Sequence, residues 1–274
     1  MSAMDATSLE AIGAAGSGDV DIALGALLLA QAARPQLSLD PYVRHLAAIS
    51  LLAARTLDRE SAADADPREV ATALGRALGA SLGYDGDRDT YDDLKNADLA
   101  YVIDRRRGLP VALGILYIHA ARSLGASAHG LNFPGHFVVG LGTLRGTTVI
   151  DPFNGGRLVD ADDLERLSPE GTEVTEDRLI ATSDRGVLIR LQNNILTRLH
   201  AKGDAKGAAD ILATLTRLAP ESGHYRYELG VALSHSERPG AARKALLEAL
   251  ALDPHARWRN EAERLASSLA RSLN

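Results

Sequence analysis

The chain of 274 residues contains no cysteine. That absence excludes disulfides and every covalent mechanism that runs through a thiolate, and it fits a reducing, cytoplasmic setting. Aromatic residues are scarce at 4%, with one Trp and three Phe. The arginines are dispersed apart from Arg105–Arg107, and no aromatic platform accompanies them. With a formal net charge of −6 and a pI near 5.8, this argues against nucleic acid or an anionic membrane as partner. Long hydrophobic runs are missing too. The apolar stretch around Ala23–Ala33 is too short to span a bilayer, and Asp5, Glu10, Asp19 and Asp21 replace the basic start of a signal peptide. The expectation is a soluble cytoplasmic protein.

What is present is an ordinary globular composition, 46% hydrophobic and 24% charged, long enough for one or two cores. Up to about residue 80 the spacing is helical. Asp40-Pro41 reads as a cap followed by Pro at the first helical position, and Tyr42, Leu46, Ile49 and Ala53 recur on one face. Asp66-Pro67 repeats the device ahead of Val70, Leu74 and Leu78. The segment GYDGDRDTYDDLKNADLAYVIDRRRG is polar and turn-rich, then forms a short helix ending at Gly108. Over 129–160 the period changes, predicting two or three strands joined by Gly-containing turns.

The tail repeats itself. Pro220 and Pro254 lie 34 residues apart, and at that offset Ala208 aligns with Ala242, Leu212 with Leu246 and Leu218 with Leu252. A helix-turn-helix period of this length, with small residues at the crossing, is the tetratricopeptide (TPR) signature. Two repeats are too few to stand alone, so the expectation is that this pair stacks on the preceding domain, with residues 255–272 as a capping helix.

Chemistry concentrates in three stretches: RRRGLPVALGILYIHAARSLG from Arg105, NFPGHFVV from Asn132, and IDPFNGG from Ile150. A glycine-proline turn opens a buried helix, and two strands carry His136 and Asp151. The order resembles the transglutaminase-like (papain-like) core. Together with the tail repeats, the stretch from about Leu24 onward resembles the SirB-type transglutaminase-like family with C-terminal TPR repeats. The resemblance implies that His136 and Asp151 occupy the His and Asp positions of a triad whose Cys would begin the helix. No residue from Pro110 to Gly114 has an attacking atom, and Ser123 lies over three helical turns away. Three readings stay open for the pair. His136 and Asp151 hold strand register, or they line a retained cleft that recognises a ligand, or His136 activates water as a general base.

Around the pair, Asn132, Phe133, Gly135, Asn154 and Tyr117 are the candidate binding residues. Gly135 also suits a special backbone torsion, and Asn154-Gly155-Gly156 suits a turn. Arg105–Arg107 reads as a solvated helix end or a patch for an acidic partner. No cofactor is expected. His119, His129 and His136 lack a metal-ligand spacing, His119 suits a satisfied core position, GLGTLRG lies between strands, and no phosphate loop occurs. The expected fold is α+β, a small antiparallel sheet packed on the 108–124 helix. Its parts are an N-terminal helical segment (1–80), a transglutaminase-like core (81–183) and TPR-like repeats (184–274). The expected function is a non-catalytic module that binds a protein or peptide; the alternative is a cysteine-independent hydrolase of amide or peptide-like substrates.

Overall fold

The computed structural model describes residues 8–15, 20–58, 62–133, 136–142, 147–167, 180–236 and 238–272. Its contacts form two compact units, residues 17–191 and residues 1–16 with 192–274. In the second unit, α1 (Leu9–Ala14) packs on α9 (Ala205–Leu218).

The first unit begins with α2 (Ile22–Ala33), apolar nearly all round and capped by Asp21, whose carboxylate accepts the Leu24 N–H at 3.0 Å. Next comes α3 (Asp40–Leu57), which buries Leu46, Ile49 and Ala53 as the stripe predicts. Its cap is Leu39, not Asp40: the helix takes in one more residue, so the Asp40 charge stands in the first turn, where the helix dipole favours it. Asp66 does cap α4 (Pro67–Leu74), which continues as a wider-turned segment, Gly75–Ser81.

Two short strands, β1 (Asp85–Gly86) and β2 (Arg107–Gly108), pair in parallel around α5 (Leu99–Arg105). That helix stops at Arg105 rather than Gly108 because Arg106 turns left-handed, with φ of 59°. The central element is α6 (Pro110–Ser123). It is carbon-rich on every side, and all of Pro110–Ile118 is buried.

Against α6 lies a five-stranded antiparallel sheet: β3 (Ala128–Phe133), β4 (His136–Leu141), β5 (Thr148–Asp151), β6 (Arg157–Val159) and β7 (Ile180–Thr182), in the order β6-β5-β4-β3-β7. Four of these strands fall in the stretch where two or three were expected. The extra strand, β6, forms because Gly155 and Gly156 both adopt positive φ, 64° and 76°, and reverse the chain at once. Phe137 and Val139 of β4 face α6 and fill the space where Gly114 lacks a side chain. Leu131, Phe133, Val138, Val149 and Val159 pack into a cluster with Leu164 of α7 (Ala161–Leu167).

The second unit is helical hairpins. Residues 192–201 of α8 (Asp184–Ala201) are followed by α9, α10 (Gly223–Ser234), α11 (Pro239–Leu252) and α12 (Arg259–Ser272). Both α9 and α11 have 14 residues, and their starts at 205 and 239 keep the 34-residue offset seen in the sequence. Ala208, Ala242, Leu212 and Leu246 are all fully buried. Gly230 of α10 lies against Leu246 and the Ala242 carbonyl, so helix approach depends on its missing side chain.

The Gly155-Gly156 turn sets a tight packing constraint in the first unit. A Cβ on Gly79 would meet the Gly155 carbonyl oxygen at 2.2 Å. Gly79→Ala therefore forces backbone movement and is expected to cost about 2–3 kcal/mol. At Gly83 nothing lies within 4 Å and only its φ of 72° resists a side chain, so Gly83→Ala is expected to cost about 1 kcal/mol. Urea unfolding of the two variants checks the order.

Candidate functional site

Asp151 ends β5 and begins a single 3-10 turn, Pro152–Asn154. Its carboxylate is fully buried and takes three hydrogen bonds. Oδ1 accepts from the Phe153 N–H at 2.9 Å and faces His136 Nε2 at 3.1 Å, and Oδ2 accepts from Asn154 Nδ2 at 2.6 Å. Burial pushes the Asp151 pKa up, but the bond and charge of His136, with Asn154 and the Phe153 amide, outweigh it and leave the carboxyl below its ordinary value. An ionised carboxylate only accepts, so Nε2 of His136 carries the proton and donates. In the neutral ring, Nδ1 is then the basic nitrogen.

The surroundings of the imidazole are aromatic and cationic. Phe153 stands edge-on to His136, with ring centroids 6.2 Å apart, and Tyr91 meets Phe153 edge-on at 5.9 Å. Arg88 lies over the Phe153 ring at 4.9 Å and donates to the Phe153 carbonyl and to Asn154 Oδ1. Gly86 completes the enclosure, since a Cβ there would come within 2.5 Å of the Phe153 ring. On the backbone side, Arg190 of α8 donates to the His136 carbonyl at 3.0 Å and lies over Phe137. The His136 side chain keeps 13% exposure.

The helix start offers no nucleophile. Pro110, Val111, Ala112, Leu113 and Gly114 are all buried, and a Cβ on Gly114 would be 2.5 Å from Phe137. Of the other candidates, Phe133 and Tyr117 are core residues at 1% and 0% exposure. The Tyr117 hydroxyl is buried with no hydrogen-bond partner among the described residues and lies against Gly156; burial pushes its pKa far up. Asn132 is placed by its backbone in β3, opposite Phe137 and Ile180, and its side chain lies outside the described residues, as does Gly135. Asn154 makes the turn and braces Asp151.

Phe153, Arg88, Tyr91 and Arg190 were not singled out in the sequence. Phe153 had a signal, being two residues beyond Asp151 on a Pro-initiated turn. Arg88, Tyr91 and Arg190 had none, since nothing in a polar loop or a distant helix shows that it folds back onto β4 and β5.

In the Arg105–Arg107 run, Arg105 and Arg106 are half-buried and tied into the fold, while Arg107 is exposed. Arg105 donates to Asn96 Oδ1 at 2.7 Å and stands near Asp87 and Asp93. Arg106 binds the Ile103 carbonyl, the Tyr84 hydroxyl and His45 Nε2, and Arg107 binds the Gly83 carbonyl. His119 is half-buried, near Ser50 Oγ and the Leu46 carbonyl, each at 3.3 Å. Among the described residues no group of three or more His, Asp or Glu could hold a metal, and no helix is long and apolar enough to cross a membrane.

The buried helix start, the two-strand His–Asp pair and the antiparallel sheet are the frame of a transglutaminase-like domain. Residues 40–193, more than half of the chain, match the Transglutaminase-like superfamily, and the chain belongs to it. It is 36% identical over 189 residues to a UPF0162 protein of Xylella fastidiosa strain 9a5c, covering 66% of this chain and 67% of the relative. A UPF0162 protein of Vibrio cholerae is 31% identical over 137 residues, 50% of this chain and 49% of the relative. The mouse F-box only protein 21 is 29% identical over 137 residues, 47% of this chain but 22% of its own length. The chain thus spans about half to two thirds of the bacterial relatives it matches. No solved structure matches.

Two pH windows follow from the buried groups. His45, His119 and His129 are held neutral, chiefly by burial, with pKa values below the ordinary 6.5. The unfolded chain binds their protons first, so stability falls as pH drops below about 6.5. Asp151 has the opposite charge type: its contribution is complete above its unfolded value of 3.8 and is lost as pH falls through the lower folded value. Thermal melts from pH 7 to 2 are expected to show both losses. Asp151→Ala, which leaves the partners of the carboxylate unpaired, is expected to cost about 3 kcal/mol at pH 7 and to flatten the loss below 3.8.

Proposed function

We propose that the chain is a non-catalytic, SirB-type member of its superfamily that binds a protein segment through the groove of its TPR-like tail, with His136 and Asp151 kept as framework. The observation that carries this reading is the start of α6. Five successive residues there have no attacking atom, and at Gly114 the ring of Phe137 already occupies the space a side chain needs. A triad without its first member keeps the orienting half of the machinery and loses the bond-making half. The bracing of Asp151 by two further hydrogen bonds supports a framework role for the pair.

Binding by the tail is supported by the 34-residue offset of α9 and α11, the buried alanines at their crossings, and a groove of about 610 Å³ formed by the end of α8, the start of α9 and α10. Stacked helical repeats present such concave surfaces to peptides. The size falls within the ~300–1,000 Å³ range of small-ligand sites, which suits a few side chains rather than a folded domain. The hydrolase alternative needs a water and a substrate carbonyl at Nδ1 of His136. The edge of Phe153 and the low exposure of the ring weigh against it.

The test is crosslinked capture by the wild type, His136→Ala and Val231→Arg, after circular dichroism shows each to be folded at the assay temperature. Val231 lines the groove without being fully buried. The expected outcome is a partner kept by His136→Ala and lost by Val231→Arg. The reverse result places binding at the cleft, and an unchanged partner set in both variants contradicts the proposal. Amide hydrolysis that disappears in His136→Ala contradicts it as well.

A further inference from the structure

We infer that the groove between α8, α9 and α10 selects a cationic, aliphatic peptide segment: a Lys or Arg beside a Leu-type side chain. The inference rests on the binding role proposed for this groove and specifies its ligand. The floor is made by small or aliphatic side chains, Ala208, Val231 and Ala232, with Ala208 and Ala232 buried at 0% and 7%. Alanines in a floor leave depth, so a branched aliphatic chain can enter and remove apolar area from water.

The charges at the groove have one sign. Asp204 and Glu228 line it, and among the described residues no Lys or Arg does, although residues 192–274 contain three Lys and nine Arg. His200 and His235 complete the lining. Asp204 uses Oδ1 to cap α9 through the Gly207 N–H at 2.8 Å. Glu228 meets His224 through Oε1 at 3.2 Å, with 29% of its side chain exposed. Each carboxylate is thereby held in place with its second oxygen outside these bonds. Two fixed acids at the edge of an apolar floor favour a cation on an aliphatic stem and repel a carboxylate. The phosphate- or carboxylate-clamping alternative would need the lysines or arginines that the groove lacks.

The groove also contains its own reporter. Tyr227 lines it and stacks on Trp258, the only tryptophan, with ring centroids 4.7 Å apart and planes 6° from parallel. The full chain is titrated at pH 7 and low salt with acetyl-Leu-Lys-Ala-Lys-Leu-amide and, separately, acetyl-Leu-Glu-Ala-Glu-Leu-amide, reading Trp258 fluorescence. The expected result is saturable binding of the lysine peptide at least tenfold tighter than the glutamate peptide, with the ratio reduced to threefold or less in Glu228→Gln. Asp204 is left untouched because it caps α9. Equal or tighter binding of the glutamate peptide, or no saturable response to either, overturns the inference. If that happens while Val231→Arg still loses the captured partner, the ligand assignment falls and the binding role stands. If Val231→Arg keeps the partner, the binding role itself falls.

Discussion

The carboxylate of Asp151 is the constraint on which the sheet end of the first unit depends. It is wholly buried, and it is satisfied only because three donors converge on it: an imidazole from β4, a backbone amide from the turn after β5, and the amide of Asn154. A buried charge with any of these removed is expensive. The bonds therefore fix the end of β4 against β5 and set the direction in which the chain leaves the sheet. Gly155 and Gly156 then turn it back into β6, between Tyr117 of α6 and the Gly75–Ser81 segment. The close approach to Gly79 tolerates no side chain, so the geometry is locked from both sides.

The same arrangement gives the pair a structural task that is independent of any chemical one. The His–Asp pair of an acyl-transfer site orients a base, but here it also completes the hydrogen bonding of a buried anion. That second task needs no nucleophile at the start of α6. At α6 the space has been taken over by packing, since Phe137 fills the position next to Gly114 and Phe153 covers the imidazole. Arg88 and Tyr91 hold Phe153 there through ring contacts. The proposed binding role rests instead on the groove of the second unit, with its alanine floor and two carboxylates.

Elements with strong local signals were legible in the sequence. The Asp66-Pro67 start, the Leu46–Ile49–Ala53 stripe, the buried helix after Pro110 and the 34-residue spacing each follow from period and cap chemistry. The pair itself was legible because a His after Pro-Gly and an Asp before Pro stand on adjacent strands. Less legible was what covers it. Arg88, Tyr91 and Arg190 reach the pair from a turn-rich loop and from a helix more than 50 residues downstream of His136, and no local rule encodes those contacts. The Arg105–Arg107 run was legible only in part, since Arg107 is exposed but Arg105 and Arg106 are half-buried. A basic cluster at a helix end looks solvated until the chain folds acceptors around it, here Asn96, Ile103, Tyr84 and Gly83. Residues 22–81 read as helices, but that they pack into one unit with the sheet could not be read from their spacing.

The central claim is that His136 and Asp151 hold the fold together through each other. A double-mutant cycle tests it directly: His136→Ala, Asp151→Asn and the combined variant, each unfolded in urea at pH 7. The account predicts that the two costs fail to add, with a coupling energy of about 1–3 kcal/mol between the positions. Additive costs, with coupling near zero, would show that the bond is incidental to stability and would contradict the account.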